Sequence, residues 1–367
     1  MNTDLLYRIA LTRIPHIGDI LAQSLIRYFE SAENVLKASH RKLENTEGVG
    51  TVRARSIKQF RDFTSCEKEI NFLEKNNIRT YCVVDHDYPE KLRHCADAPL
   101  LIYFKGKSES LHQKMVSVVG TRNYTAYGKE CCEHFIRELQ ENDITIVSGL
   151  AYGIDTFAHQ FALEYGLPTL GVLAHGLDSI YPYTNKSLAK AICNTGGLLT
   201  EFTSGTPPDK QNFPRRNRIT AGICDALVVI ETGKRGGSLI TAELANQYHK
   251  DVFAFPGRVN DTKSEGCNNL IKTNKAHLIS SATDMLHIMG WSPEPVKSKP
   301  IQTTLLIHLS EDEQLTFQLI QQQAPCHIDL IRLHTGLFNS RLASVLLSLE
   351  MQGLVRSLPG MRYETAH

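Results

Sequence analysis

No C-x-x-C pair occurs among the nine cysteines of this 367-residue chain, which are scattered from Cys66 to Cys326. Neither a disulfide framework nor a tetrahedral metal site is built from such spacing, so reduced, mostly buried thiols in a cytosolic protein are expected. Net charge is missing as well: 40 Lys and Arg face 39 Asp and Glu, a formal +1. That balance excludes a histone-like protein and a highly charged disordered one, while a local basic patch stays open because binding responds to the field at a site. Long apolar runs are also absent. Asp4, Arg8 and Arg13 break up the N-terminus, which carries no signal-peptide pattern. The longest stretch without Asp, Glu, Lys or Arg is the Gln-rich Gln314–Ile328, which cannot span a bilayer. A cytoplasmic protein with no membrane partner is expected.

Two phosphate-binding signatures are lacking too. Leu150-Ala151 after Gly149 defeats the G-x-G-x-x-G dinucleotide fingerprint, and no G-x-x-x-x-G-K-[ST] loop is present. Neither a dinucleotide cofactor nor ATP hydrolysis is therefore expected.

What is present divides by texture. Residues 1–65 read as short helices joined by Gly turns, and 66–290 alternate β-branched runs with helical segments. Examples of the runs are Met115–Gly120, Ile144–Gly149, Thr169–Ala174, Leu227–Glu231 and Val252–Pro256. Nearly continuous apolar strands alternating with helices predict an α/β fold, a doubly wound parallel sheet covered on both faces. Residues 291–303, opening with the Pro- and Lys-rich Trp291–Pro300, read as a linker. Residues 304–367 read as a winged helix, with Leu337–Gly353 as third helix and Leu354–Tyr363 as wing.

In such a sheet ligands sit beyond the carboxyl ends of the strands. Here those ends carry Gly120-Thr121-Arg122, Ser148-Gly149 and Gly236-Gly237-Ser238 with Thr241. Gly lets backbone N–H groups approach an anion, and a following helix N-terminus adds partial positive charge. The same glycines could merely turn the chain; three such loops that also carry Thr, Ser, Arg and Lys favour an anion site. From Pro207 to Thr220 four cations (Lys210, Arg215, Arg216, Arg218) oppose Asp209, with Phe213 among them. An aromatic ring among cations suits single-stranded nucleic acid, with a solvated basic helix start as the competing reading.

VGTR (119–122), SGLAYGIDTFAH (148–159), GLDSIYP (176–182), FPRRNR (213–218), GGSLIT (236–241) and FPG (255–257) follow one another in that order. Together they resemble the DNA-processing protein A family, the DprA/Smf proteins of natural transformation. The resemblance implies an extended Rossmann-like domain that is not an enzyme and consumes no cofactor. It would bind single-stranded DNA, protect incoming strands and assist loading of a RecA-type recombinase, as a homodimer. By motif, Arg122, Lys210 and Phe213 would line the pocket, and Gly236, Gly237, Ser238 and Thr241 would hold phosphate. Arg216, Asn217 and Arg218 match the family's R-N-R, although Arg218 could equally brace the sheet edge against Asp225 or Glu231. His175 departs from the Gly common before the family's G-x-D-x-x-Y-P block.

Several residues invite a second reading. Asp155 and His159 at i and i+4 suit a metal or an acid–base pair, but without a third ligand a capping Asp and an internal His are expected. Asp178, Tyr181 and Pro182 are expected to be turn and packing residues. GGSLITAE (236–243) places Glu243 as in nucleoside-monophosphate phosphoribohydrolases, with Leu239-Ile240 replacing that cradle's Gly-Thr. Thr46–Ile57 resembles a helix–hairpin–helix, and Ile14–Gly18 an earlier copy with His16 in place of its first Gly. A DNA phosphate or a protein partner both suit that module. The third helix of the C-terminal region offers only Asn339, Arg341 and Gln352 for groove reading, which favours an interaction or accessory module.

Overall fold

The computed structural model describes residues 3–111, 113–291 and 309–365. They form two compact units, 1–292 and 293–367. All of the expected linker except Trp291 lies outside the described residues.

The first unit is built on nine strands: β1 (Arg79–Cys82), β2 (Leu101–Gly106), β3 (Lys114–Val119), β4 (Ile144–Ser148), β5 (Thr169–Val172), β6 (Gly197–Thr200), β7 (Ala226–Val229), β8 (Asp251–Ala254) and β9 (His277–Leu278). Their order is β1-β2-β6-β5-β4-β3-β7-β8-β9. From β6 to β9 every pair is parallel, while β1 and β2 join the β6 edge antiparallel. Alternate residues of β3 feed two cores. Val116 and Val118 meet Phe135, Ile136 and Ala158, whereas Met115 shares the other core with Ile219, Ala221 and Ala242. Both faces are thus covered, as continuous apolar strands require. After β3 the chain runs outward through β4, β5 and β6, then returns to place β7 on the other side of β3. The crevice of this doubly wound sheet therefore opens at the ends of β3, β4 and β7.

The N-terminal helices do not stand apart from the sheet. Ile9, Leu11 and Leu25 share one apolar core with Leu101, Tyr103 and Phe104. Gln23 Nε2 donates to Ala98 O at 2.7 Å, and Leu100 N–H to Asp19 Oδ1 at 3.0 Å. In the hairpin ahead of helix Gly50–Gln59, Gly48 and Gly50 take φ of 79° and 59°. His16, in the earlier copy, adopts φ 68°, so the left-handed turn forms there without the first Gly. Arg53 ties the two turns together, donating to His16 O (3.1 Å) and Gly48 O (2.5 Å).

Arg218 extends this fastening. Its guanidinium donates to Asp19 (3.0 Å) and Glu201 (2.5 Å), joining the first hairpin, helix Asn212–Ile223 and the residue after β6. It does brace the sheet, but not through Asp225 or Glu231. Asp225 is held by Lys91 (2.6 Å) and Met115 N–H (2.8 Å), and Glu231 accepts from Thr125 N–H (2.9 Å) and Oγ1 (2.6 Å).

Among its described residues the second unit holds three helices, Glu311–Gln323, Ile328–Thr335 and Asn339–Met351, and an antiparallel sheet of Cys326–His327, Arg362–Thr365 and Val355–Leu358. Its three groove-reading candidates are engaged within the unit. Arg341 Nε donates to Asp312 at 2.8 Å, Asn339 Oδ1 accepts from Arg332 at 3.2 Å, and Gln352 Nε2 donates to Ser348 at 3.1 Å.

All nine thiols are free, and six of those in the first unit are buried. Burial pushes the Cys66, Cys82 and Cys95 thiols up to about 11, which keeps them protonated and unreactive. No group of acidic, His or Cys side chains among the described residues could hold a metal ion. Nor is any described helix long and apolar enough to cross a membrane.

Candidate nucleic-acid interface

A cleft of about 490 Å³ occupies the crevice. Its floor is Val119-Gly120-Thr121-Arg122-Asn123 after β3 and Gly149 after β4. One wall is helix Asn212–Ile223, which contributes Phe213, Pro214, Arg216, Asn217 and Thr220, with Lys210 just before it. The other wall is the start of helix Gly237–Gln247, with Gly236, Gly237, Ser238, Ile240 and Thr241. Neither helix has a side-chain cap. In helix Asn212–Ile223 the Asn212 N–H already donates to Asp209 O at 3.0 Å and Pro214 has no N–H, whereas helix Gly237–Gln247 opens on Gly236-Gly237-Ser238 and turns the positive end of its dipole to the cleft.

Most residues expected at the site meet here. Two do not. Ser148 is fully buried and donates to Val118 O at 2.7 Å, which leaves its hydroxyl on the strand. Arg218 leaves the opposite side of its helix toward Asp19 and Glu201. Helical periodicity explains the split: Phe213, Arg216, Asn217 and Thr220 share one face, while Arg215 and Arg218 share another.

Arg216 is the buried cation of the cleft. It donates from Nη1 to Val172 O at 2.8 Å, and its Nε has no partner. A Cβ at position 149 would lie 1.7 Å from Arg216 Nη1, so any side chain there would push the guanidinium out of its place. Asp155 accepts from Gly149 N–H at 3.2 Å and so fixes the loop rather than capping a helix. Burial raises the Asp155 carboxyl above the usual range despite Arg216, and burial lowers the Arg216 guanidinium. Thr220 Oγ1 and Ser238 Oγ are buried without partners in the same walls. Unpaired buried polar atoms are costly, and three of them around one cleft mark a place shaped for a polar ligand.

At the mouth, the Arg122 guanidinium lies over the Phe213 ring at 5.2 Å, and the Tyr181 ring meets Phe213 edge-on at 6.1 Å. This aromatic–cation pair is the arrangement that holds a base and its phosphate together. Asn123, Ala151 and Pro214 also line the cleft. They neighbour the motif residues in sequence, and only their side of the turn, not their type, could have singled them out.

His159 stands behind this wall. It is fully buried, with Nδ1 2.7 Å from Thr169 Oγ1, which itself donates to Ile146 O at 2.8 Å. Burial lowers its pKa to about 3, with Arg216 adding to the shift. It is a neutral core residue, as its position inside a helix suggested. Its folded pKa lies below the unfolded value of about 6.5, so its contribution is complete above that pH and is lost as pH falls toward 3. Acid titration of urea unfolding should show stability falling through this window, and His159→Leu should flatten the fall. An unchanged slope in that variant would assign the acid sensitivity elsewhere.

Glu243 lies outside the cleft lining, half exposed and paired with Lys275 at 2.7 Å.

The fold is thus a doubly wound sheet whose switch-point cleft is lined by two helix starts, one buried cation and a cation-stacked ring, and the sequence around it carries no dinucleotide or Walker fingerprint. Family models agree in detail: DNA recombination-mediator protein A matches residues 79–290, the DprA winged helix domain 301–361 and a helix-hairpin-helix motif 9–68. The chain belongs to the DNA processing protein A (DprA/Smf) family. Protein Smf of Synechocystis sp. is 32% identical over 99% of both chains. The X-ray structure of DNA processing protein A from Streptococcus pneumoniae is 35% identical, with a TM-score of 0.67 over 77% of this chain and 97% of that one. DNA processing protein A from Helicobacter pylori, solved for its single-stranded DNA binding mode, is 30% identical, with a TM-score of 0.53 over 58% of this chain and 95% of that one.

Proposed function

We propose that this protein binds single-stranded DNA without sequence preference in the switch-point cleft. Phosphates would meet Lys210, Arg216 and the N–H groups and hydroxyls of Gly236–Thr241, while a base stacks against Phe213 beside Arg122. The observation that carries the reading is the Arg122 guanidinium seated over Phe213 at the mouth of a cleft into which two uncapped helices open. A strand-binding role on the Helicobacter pylori relative supports it. The family description, a recombination mediator, supports the further step: a cytoplasmic homodimer that protects incoming strands and passes them to a RecA-type recombinase. In this reading residues 1–65, 66–290 and 304–367 act as hairpin, strand-binding and winged-helix modules, with 291–303 as linker. In this reading the protein binds its ligand without turning it over, and the position of Glu243 outside the cleft removes the one residue that suggested nucleotide hydrolysis.

Mobility-shift titration on single- and double-stranded DNA tests the reading. A strong preference for single strands is expected, with affinity falling steeply as salt rises. Lys210→Ala should cost about tenfold and lower the salt slope by about 1. Glu243→Ala should bind as the parent does. Equal affinity for both DNA forms, or unchanged binding in Arg122→Ala, Lys210→Ala and Phe213→Ala, would sink it. Release of free base from a nucleoside monophosphate, abolished by Glu243→Ala, would establish the hydrolase alternative instead. For the mediator step, the parent protein should speed RecA filament assembly on protein-coated single strands, and no acceleration removes that step.

A further inference from the structure

The segment between β5 and helix Lys186–Thr195 carries two exposed tyrosines, the first of which reaches the cleft residue Phe213. Tyr181 is 39% exposed and touches Phe213 edge-on. Tyr183, two residues on, is 76% exposed, and the Lys186 ammonium sits 5.5 Å from its ring centre. Tyr181, expected from sequence to be a turn and packing residue, packs against Phe213 while part of its ring stays open to solvent, and Tyr183 offers most of its ring to solvent.

The backbone that carries both rings is tied down. Tyr181 N–H donates to His175 Nε2 at 3.2 Å, and His175 Nδ1 lies 2.9 Å from Gly176 O. The His that replaces the family's usual Gly is thus a buried strut under the turn. Asn185, buried below Tyr183, donates to Leu150 O at 3.0 Å and Thr156 Oγ1 at 2.9 Å, anchoring the turn to the loop after β4. An aromatic ring on an ordered backbone loses little freedom when a base stacks on it, which is what a sequence-tolerant strand track needs.

We propose that the single strand leaves the cleft over this turn: successive bases stack on Phe213, Tyr181 and Tyr183, and Lys186 takes a phosphate beside the last ring. The proposal rests on the cleft being the strand-binding site. It adds a second segment that engages only strands long enough to extend past Phe213, with His175 as a positioning residue beneath Tyr181.

The test is fluorescence titration of the full chain with oligothymidines of about 5 and about 16 nucleotides, the span of site sizes for aromatic-lined strand grooves. Tyr183→Ala should bind the long strand about tenfold more weakly, as loss of one stacked base implies, and the short strand as the parent does. Tyr183→Phe should restore the long-strand affinity. Lys186→Ala should lower the salt slope for the long strand alone by about 1. Parent-like binding of both lengths by Tyr181→Ala and Tyr183→Ala, with Phe213→Ala still impaired, overturns the track and leaves the cleft standing. Equal losses on both lengths also overturn it, since the tyrosines would then belong to the cleft. Unchanged binding in Phe213→Ala, Arg122→Ala and Lys210→Ala alike removes the cleft reading and the track with it, whereas unchanged binding in Phe213→Ala alone removes only the track.

Discussion

Arg218→Ala is expected to destabilise the first unit by about 3 kcal/mol, near the lower end of what breaking a buried ion pair costs. The Glu201 side chain is 3% exposed and Arg218 10%, so removing the cation strands a carboxylate that water cannot reach. The cost stays near the lower end because Arg215, at 3.1 Å, still approaches Glu201 from the solvent side. Asp19 loses its partner as well, and with it goes a fastening between the first hairpin and the sheet.

The pH dependence of this variant has a definite sign. Burial raises the Glu201 carboxyl above the usual range, against the pull of Arg218 and Arg215. For Arg218 itself burial opposes the charge, but Glu201 and Asp19 outweigh it and raise the guanidinium. A carboxyl whose folded pKa is raised supports the fold fully below its unfolded pKa, and that support is lost as pH rises through the folded value. Without Arg218 the carboxyl rises further, so the deficit should be largest near neutrality and shrink on acidification. Urea midpoints measured from neutral to mildly acidic pH check this. Arg218→Ala/Glu201→Gln should recover most of the loss at neutral pH. A deficit independent of pH, or no recovery in the double variant, would show that Arg218 acts through packing of its stem.

The sheet was legible from sequence where its strands are buried on both faces. β3, β4, β5, β7 and β8 advertise themselves by continuous apolar runs, because parallel strands covered on both sides tolerate little else. β1, β2, β6 and β9 were not singled out. β6 follows Gly196 and opens on Gly197, which leaves only Leu198 and Leu199 as an apolar run, and β9 has only His277 and Leu278. At the site, Gly-rich strand ends next to cations pointed to the crevice before any fold was known. Composition could not say that Arg216 faces the cleft while Arg218 faces the hairpin. That distinction follows from a helix starting at Asn212, which puts residues two apart on nearly opposite sides. The exposed rings of Tyr181 and Tyr183 were beyond sequence for a different reason: aromatic residues are buried more often than not, and only tertiary structure shows which are exposed.

Phe213→Ala and Arg122→Ala should each weaken single-strand binding by about 1–3 kcal/mol, yet fail to add when combined. The two side chains form one unit, with the guanidinium centred 5.2 Å from the ring. The ring orients the cation by an attraction worth about 0.5–1 kcal/mol at an exposed site, and the cation in turn polarises the face on which a base stacks. Removing either one loosens the other. The double variant should therefore fall short of the summed losses by about 0.5 kcal/mol or more. Salt separates their roles within the pair. Arg122→Ala should lower the slope of log affinity against log salt by about 1, because a phosphate contact disappears, whereas Phe213→Ala should leave the slope unchanged. Arg122→Lys should keep the slope while losing affinity, since an ammonium cannot lie flat on the ring. Strict additivity, or equal slopes in both single variants, would mean that ring and cation act on the strand separately, with Arg122 serving no stacking role.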